Sequence, residues 1–140
     1  MNILEKFQLE FPELVDKMKN TSHHYDNFHL NPYHFEGDIW SHTMMVHNYA
    51  IDINLHPNLS DKEIELLKFM TLFHDLGKCF SREVKEDTKR VGFHGHAGIS
   101  FYLTIDVLKK FDLTKKDKRL ILEVISLHHS YMDILSSDCS

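Results

Sequence analysis

Several features that often define the class of a protein are scarce in these 140 residues. The two cysteines, Cys79 and Cys139, have no CxxC spacing, so neither a disulfide framework nor a zinc knuckle is predicted. No apolar run approaches the roughly 20 residues of a membrane-spanning helix. Charged Glu5, Lys6 and Glu10 interrupt the apolar pattern at the N-terminus, so we expect no signal peptide. These absences favour a soluble cytoplasmic protein that has no membrane partner.

An excess of positive charge is also missing. The formal net charge is −5 and the pI is about 6.1, which argues against binding to long duplex nucleic acid. The sequence contains no GxSxG or P-loop pattern, and Cys79 has no clear activating base, so no covalent nucleophile is predicted. A small anionic ligand held through a metal ion is still possible, because a bound cation dominates the charge of its site.

What the chain does contain is a large share of apolar residues and many histidines. Hydrophobic residues make up 42% of the sequence, which predicts a globular fold. The length suggests one domain over residues 1–140, large enough for a hydrophobic core. The 12 histidines are several times the number usual in a chain of this size, and they direct attention to metal chemistry.

Hydrophobic periodicity predicts an all-α fold of about five to six helices. Strand-like alternation is nearly absent. Pro12 is expected to kink or restart the first helix, Ser60 begins a capping box, and Gly77 and Thr114 mark a stop and a start. Residues 81–93 read as an exposed loop, and residues 20–37 as an ordered loop over the helical core. The periodic segments lie near residues 3–18, 38–55, 61–76, 95–108 and 115–128.

Candidate metal ligands lie in or at the ends of these helices, and their nitrogen and oxygen donors suit Zn, Fe, Mn or Ni. Each has an ordinary explanation when taken alone: a helix C-terminus favours the charge of a histidine such as His74, and Asp133 resembles a solvated acid. Their joint occurrence on successive helices favours a metal site. His23, His24, His29 and His56 show no such pattern and are expected at the surface or in loops. The candidates are His42, His74, Asp75, His96, His128, His129 and Asp133.

Three segments, in this order, resemble the HD superfamily of metal-dependent phosphohydrolases. Residues 33–43 (YHFEGDIWSHT) are similar to the entry of the first-ligand helix in HD domains attached to tRNA nucleotidyltransferases. Residues 72–78 (LFHDLGK) resemble the central motif, and residues 92–99 (GFHGHAGI) the segment with the next histidine. The resemblance covers about residues 33–133 and implies a single-domain HD-type helical bundle.

The resemblance also implies roles for individual residues. His42, His74 and Asp75 match the first metal ligands, and Asp75 would also orient the attacking water. Asp133 matches the final ligand, with Asp138 as the alternative. Lys78 would hold a phosphate as a point charge, unless it is a solvated residue at a helix end. His96 and His128 match ligands of a second ion, His129 is an alternative or additional ligand, and His94 is expected to line the pocket.

These roles imply a hydrolase that depends on one or two divalent transition metals (Mn, Ni, Co, Fe or Zn). The expected reaction cleaves a phosphoester of a nucleotide or RNA end, such as a 2′,3′-cyclic or 2′- or 3′-phosphate, by a metal-activated water. Alternatives are a nucleotidase or nucleoside triphosphohydrolase on free nucleotides, and a non-catalytic metal- or nucleotide-binding module. Aromatic residues in the 20–37 loop would either stack on a base or pack onto the core; they are Tyr25, Phe28, Tyr33 and Phe35.

Overall fold

The computed structural model describes residues 1–32, 34–52, 54 and 57–135, with side chains up to residue 127 in the last helix. Most of this part of the chain is helical, which confirms the all-α prediction. It also contains a 3₁₀ helix (Leu76–Phe80) and a two-stranded antiparallel sheet of β1 (Glu83–Lys85) and β2 (Arg90–Gly92). The α-helices in the described residues are α1 (Ile3–Glu10), α2 (Pro12–Lys19), α3 (Ile39–Ala50), α4 (Asp61–Phe73), α5 (His96–Leu108) and α6 (Lys115–Leu135).

Several helix boundaries follow the sequence signals. Pro12 restarts the chain as α2 immediately after α1, since its ring fits the first turn of a helix but not the interior. Ser60 and Glu63 form the predicted capping box at the start of α4. Thr114 precedes α6, and its hydroxyl accepts a hydrogen bond from the Asp117 amide at 3.1 Å.

The prediction that Gly77 ends a helix is wrong in detail. Helix α4 ends four residues earlier, at Phe73, and Gly77 lies within the 3₁₀ helix that follows. Glycine is required here by close packing against α5. A Cβ at this position would meet the His96 carbonyl oxygen and would lie 2.7 Å from the Ser100 amide nitrogen. Gly77 therefore brings the 3₁₀ helix against the start of α5.

Residues 81–93, predicted as an exposed loop, contain the β-hairpin, in which Val84 pairs with Val91. Most residues of both strands are exposed, so neither face imposes the apolar alternation by which strands are recognised. The described residues of the 20–37 segment, which leave out residue 33, form an ordered loop, as predicted. Its two ends are joined by a bridge between Ser22 and Asp38, and the His23 amide donates to the Gly37 carbonyl at 2.6 Å.

The buried apolar residues form one cluster between the helices. Phe73 of α4 packs edge-on against Phe7 of α1 at 5.0 Å between ring centroids. Phe69 contacts Phe111 at 5.2 Å in the same edge-on manner. Helix α4 packs against α3 and α6, and α5 packs against the 3₁₀ helix and α6. The ends of α3, α4 and α5 are thereby held next to one another.

Within the described residues, the structure contains no helix that is both long enough and apolar enough to span a membrane. The prediction of a single domain over residues 1–140 stays a prediction.

Candidate metal centre

Four of the predicted ligands come from the ends of three helices. His42 lies in the first turn of α3, which Asp38 caps by accepting a hydrogen bond from the Ser41 amide at 2.8 Å. His74 is the C-cap of α4, and Asp75 follows it directly.

His96 is the first residue of α5. Gly95 precedes it with a positive φ of 77°, a conformation that glycine adopts without the steric cost borne by other residues. The turn at Gly95 sets the direction in which α5 starts, and with it the position of His96.

The Asp75 carboxylate is the point at which these side chains meet. Asp75 Oδ2 lies 3.0 Å from His74 Nε2 and 3.5 Å from His42 Nε2. The other oxygen, Oδ1, lies 3.4 Å from His96 Nε2. Asp75 is only 3% exposed, so its charge is held inside the protein and needs compensation there. The carboxylate thus presents one oxygen to two histidines and the other oxygen to a third.

Backbone carbonyls fix the orientation of two of the rings. His74 Nδ1 is 2.8 Å from the Thr71 carbonyl oxygen, and His96 Nδ1 is 3.0 Å from that of Phe93. A carbonyl only accepts, so each Nδ1 must carry a proton and donate it. In the neutral rings the lone pair is therefore on Nε2, the atom that faces Asp75. This is the tautomer that a histidine needs in order to bind a metal through Nε2.

A carboxylate orients the third ring. His42 Nδ1 donates to the Glu36 carboxylate, and the opposite nitrogen, Nε2, faces Asp75. Carboxylate–histidine pairs of this kind hold the ring and raise its basicity as a ligand. Glu36 therefore supports His42 from outside the site.

The donor set fits a divalent transition metal. Imidazole nitrogens and carboxylate oxygens bind such ions at about 2.0–2.2 Å, which places neighbouring ligand atoms about 3 Å apart. One ligand atom from each of His42, His74 and Asp75 lies within 4.8 Å of the others. The same criterion groups His34 and Glu36 with His42. In each of the three rings, Nε2 faces Asp75 while Nδ1 is held by a hydrogen bond. A hydrogen bond at the other nitrogen is what orients a histidine for metal binding.

Burial and charge act in opposite directions on the two histidines nearest Asp75 Oδ2. Burial lowers the pKa of His42 and outweighs the attraction of Asp75. For His74, burial also opposes protonation, but the charge of Asp75 and its hydrogen bond prevail and raise the pKa. Because the pKa of His74 is raised, protons compete with a metal ion for this ring, and ion binding is expected to be pH-dependent.

Lys78 also contacts Asp75. Its Nζ lies 3.4 Å from Asp75 Oδ2, and the residue is only 7% exposed. The ammonium also lies 5.4 Å from the centre of the Phe93 ring. The ordinary alternative, a solvated lysine at a helix end, is wrong because the side chain is buried against the predicted ligands.

The profile of the HD domain family matches residues 39–137. The chain belongs to the HD domain family. HD domains are typically metal-dependent phosphohydrolases and bind divalent metals, and the cluster around Asp75 has the donor types that such binding requires. Searches of curated proteins and of solved structures returned no significant match.

Three polar residues of the cluster lie N-terminal to the matched HD segment, in the 20–37 loop. Glu36 holds His42, and His34 Nδ1 lies 3.5 Å from the same Glu36 oxygen. The rings of His23 and His34 are stacked, with 3.9 Å between their centroids. His23, predicted as a surface or loop residue, lies in the loop but not at the surface: it is 1% exposed, and its Nε2 lies 3.1 Å from Lys78 Nζ.

Sequence reasoning missed these residues because they follow no helical spacing. Burial lowers the pKa of His23 to about 3, and the charge of Lys78 acts in the same direction. The pKa of His34 is lowered by burial and then by Lys78. The pair is therefore neutral at physiological pH. The available signal was the 33–43 motif that carried the family resemblance, since it contains both His34 and Glu36 upstream of His42.

The structure does not test the remaining predicted ligands. His128, His129 and Asp133 belong to α6, but their side chains lie outside the described part of the chain. Asp138 also lies outside the described residues. His94, expected to line the pocket, is exposed. The roles assigned to the side chains in α6 stay predictions.

Proposed function

We propose that this HD domain is a metal-dependent phosphohydrolase that cleaves a phosphoester of a nucleotide or RNA end by a metal-activated water. The observation that carries the proposal is the shared carboxylate of Asp75, with His42 and His74 at one oxygen and His96 at the other. Family membership supports the reaction class.

His42, His74 and Asp75 would hold the first ion, and His96 with the second oxygen of Asp75 would contribute to another. The predicted ligands His128, His129 and Asp133 would complete the two shells. When bound, a divalent ion lowers the pKa of water from 15.7 to roughly 7 and polarises phosphoryl oxygens. Mn, Ni, Co, Fe and Zn all suit this mixture of nitrogen and oxygen donors.

The protein's own groups supply orientation and charge. Asp75 can accept a hydrogen bond from the attacking water and so direct its lone pair toward phosphorus. Lys78 is held 3.4 Å from the same carboxylate, where its positive charge can offset the negative charge of a phosphoryl oxygen. Burial of both side chains strengthens these interactions, because little water is present to screen them.

A covalent mechanism through Cys79 is not supported. Burial raises the pKa of the Cys79 thiol to about 11, so the thiolate that would act as a nucleophile is scarce at neutral pH. Direct attack by water avoids this requirement.

The proposed nucleotide or RNA-end substrate rests on two observations. The segment that leads into α3 resembles that of HD domains attached to tRNA nucleotidyltransferases. In the same segment, the ring of Phe35 is 85% exposed beside Glu36, and Phe28 is 89% exposed. These two rings do not pack onto the core and are therefore available for stacking on a base; Tyr33 lies outside the described residues.

The test is turnover of a phosphoester panel by purified protein supplied with Mn²⁺, Ni²⁺, Co²⁺ or Fe²⁺. The panel compares 2′,3′-cyclic nucleotides with nucleoside mono- and triphosphates. Asp75→Asn should abolish turnover, whereas Asp112→Asn, at an exposed position, should leave it unchanged. Turnover that survives Asp75→Asn would contradict the mechanism. Bound metal without turnover of any substrate would favour a non-catalytic binding module.

A second arm of this experiment tests recognition of the base. Phe35→Ala should raise KM for the best nucleotide about tenfold, as expected for the loss of one stacking contact, and should leave 4-nitrophenyl phosphate unaffected. Tyr102→Ala is the control, because Tyr102 is an aromatic residue 72% exposed on α5. Equal effects on both substrates would argue against stacking by Phe35.

A further inference from the structure

His23 lies outside the segment matched by the HD family, yet it is more deeply buried than any of the predicted ligands with described side chains. Its ring contacts Lys78, and no part of the proposed reaction has so far used it. We propose that His23 is a positioning residue that aims the Lys78 ammonium at the phosphoryl group of the substrate. This inference rests on the proposed function.

The hydrogen bonds define the state of the His23 ring. Nδ1 lies 2.8 Å from the Gly37 carbonyl oxygen, which can only accept, so Nδ1 carries a proton. Nε2 lies 3.1 Å from Lys78 Nζ, and a charged ammonium can only donate. Nε2 must therefore accept this hydrogen bond with its lone pair. His23 is a neutral ring that accepts a hydrogen bond from Lys78 at Nε2 and donates one to the Gly37 carbonyl from Nδ1.

The backbone makes the His23 ring a rigid support. The His23 amide donates to the same Gly37 carbonyl at 2.6 Å, so the residue is attached to Gly37 through both main chain and side chain. Gly37 has a positive φ of 77°, which aims its carbonyl at this position. The ring of His34 stacks on that of His23, with 3.9 Å between the ring centroids. The imidazole of His23 is therefore restrained and cannot readily shift with Lys78.

This arrangement leaves a defined direction for Lys78. An ammonium has three N–H donors: one donates to His23 Nε2 at 3.1 Å, and a second can face Asp75 Oδ2, the ion-pair partner at 3.4 Å. The third is then set by tetrahedral geometry. Because Asp75 is the proposed ion ligand, the phosphoryl group of a substrate held by that ion would offer this N–H an acceptor. Without His23, the lysine would keep the ion pair with Asp75 and the contact with the Phe93 ring but would lose its hydrogen bond to a fixed acceptor.

The pair is tested first without any substrate. In protein labelled with ¹⁵N-histidine, the NMR signals of His23 should show a proton on Nδ1 and a hydrogen-bonded Nε2 at neutral pH. Lys78→Met should shift the Nε2 signal and leave the tautomer unchanged. A proton on Nε2, or an Nε2 signal that Lys78→Met does not move, would overturn the proposal. This result does not depend on turnover.

The second test measures kcat/KM for 4-nitrophenyl phosphate and the inhibition constant of inorganic phosphate. His23→Leu should lower kcat/KM about tenfold and weaken phosphate inhibition similarly, as expected when a hydrogen bond to a charged group is lost. His23→Gln keeps an acceptor near the Nε2 position and should recover most of the activity. His24→Leu is the control: it removes a 2.8 Å hydrogen bond to the Asn31 amide in the same loop without touching Lys78.

A double-mutant cycle distinguishes positioning from mere structural support. His23→Leu should cost little in a Lys78→Met background, because the group that it positions is already gone. Equal losses in both backgrounds, with bound metal unchanged, would refute positioning. If the wild-type protein hydrolyses no phosphoester, the proposed function fails, while the NMR measurement still decides whether His23 holds Lys78.

Discussion

Glu36 has one defined task at the residue scale. Its carboxylate accepts a hydrogen bond from His42 Nδ1, so that the opposite nitrogen of the ring, Nε2, faces Asp75. Glu36 also lies 3.5 Å from His34 Nδ1, and its pKa is lowered, since hydrogen bonds to its own backbone amide and to His42 outweigh the effect of burial. A carboxylate that stays ionised in this position is suited to orient a metal-binding histidine.

Glu36→Gln should therefore weaken metal binding about 10- to 100-fold, because the amide is a poorer acceptor and no longer raises the basicity of His42. Competition with a chelator of known affinity measures the loss. Glu83→Gln, at an exposed position of the β-hairpin, is the matched control. Metal affinity equal to that of the wild type would show that His42 needs no carboxylate partner or does not bind metal.

The residue scale also shows how far the sequence can predict the site. His42, His74, Asp75 and His96 were predicted from their order on successive helices, and the structure brings them together around one carboxylate. The loop residues could not be found in this way. A loop has no fixed periodicity, so its side chains reach a site only through a backbone path that tertiary packing determines.

At the scale of elements, the contact between the 3₁₀ helix and α5 sets the distance between Asp75 and His96. Gly77 has no Cβ, and its amide donates to Ser100 Oγ at 2.7 Å. The two elements approach so closely that the His96 carbonyl occupies the space that a side chain at Gly77 would need. The site geometry thus depends on a glycine that binds nothing itself.

Gly77→Ala should destabilise the protein by about 1–3 kcal/mol, the usual range for overpacking, because backbone atoms must move. The substitution should also weaken metal binding, since a displaced α5 would move His96 away from Asp75. Urea unfolding and metal titration measure the two effects.

Gly98→Ala is the control for that substitution. Gly98 lies on α5, the helix that carries His96, but a Cβ there meets no atom within 4 Å. We expect stability equal to or slightly above that of the wild type, because alanine is the better helix former. If both variants behave alike, close packing at Gly77 is not what sets the site.

Helices and their ends were predicted well where a buried face or a local capping signal marks them. Strands without a buried face were missed. The capping box of α4 and the restart at Pro12 are local signals, and both were correct. The β-hairpin escaped prediction because its strands are largely exposed. The prediction for Gly77 was wrong because this glycine is required for close packing against α5, not for ending α4. A sequence does not reveal which element will pack against a given glycine.

For the whole molecule, the buried histidines couple stability to pH. Burial lowers the folded-state pKa of His34, His42 and His47, and that of His23 falls from 6.5 to about 3. Between the folded and unfolded pKa values the unfolded chain binds more protons, so stability rises with pH. Their contribution is complete above about pH 6.5 and is lost as the pH falls. His74, whose pKa is raised, acts in the opposite direction.

The metal-free protein should therefore lose stability steadily from about pH 6.5 toward pH 3. Urea unfolding at a series of pH values measures the slope. His23→Gln, which removes the most strongly shifted of these rings, should make the slope shallower. A slope identical to that of the wild type would mean that His23 already titrates equally in the folded and unfolded chains.

The bridge between Ser22 and Asp38 has a consequence for how this site can change during evolution or in the laboratory. The bridge joins the two ends of the 20–37 loop, and the helices that carry the predicted ligands all begin after this loop. Changing the length of such a loop costs little closure entropy, because the cost grows only with the logarithm of length. Grafting this segment from one HD domain to another would therefore transfer the exposed rings and the histidine support together, and would leave the helices that carry the predicted ligands in place.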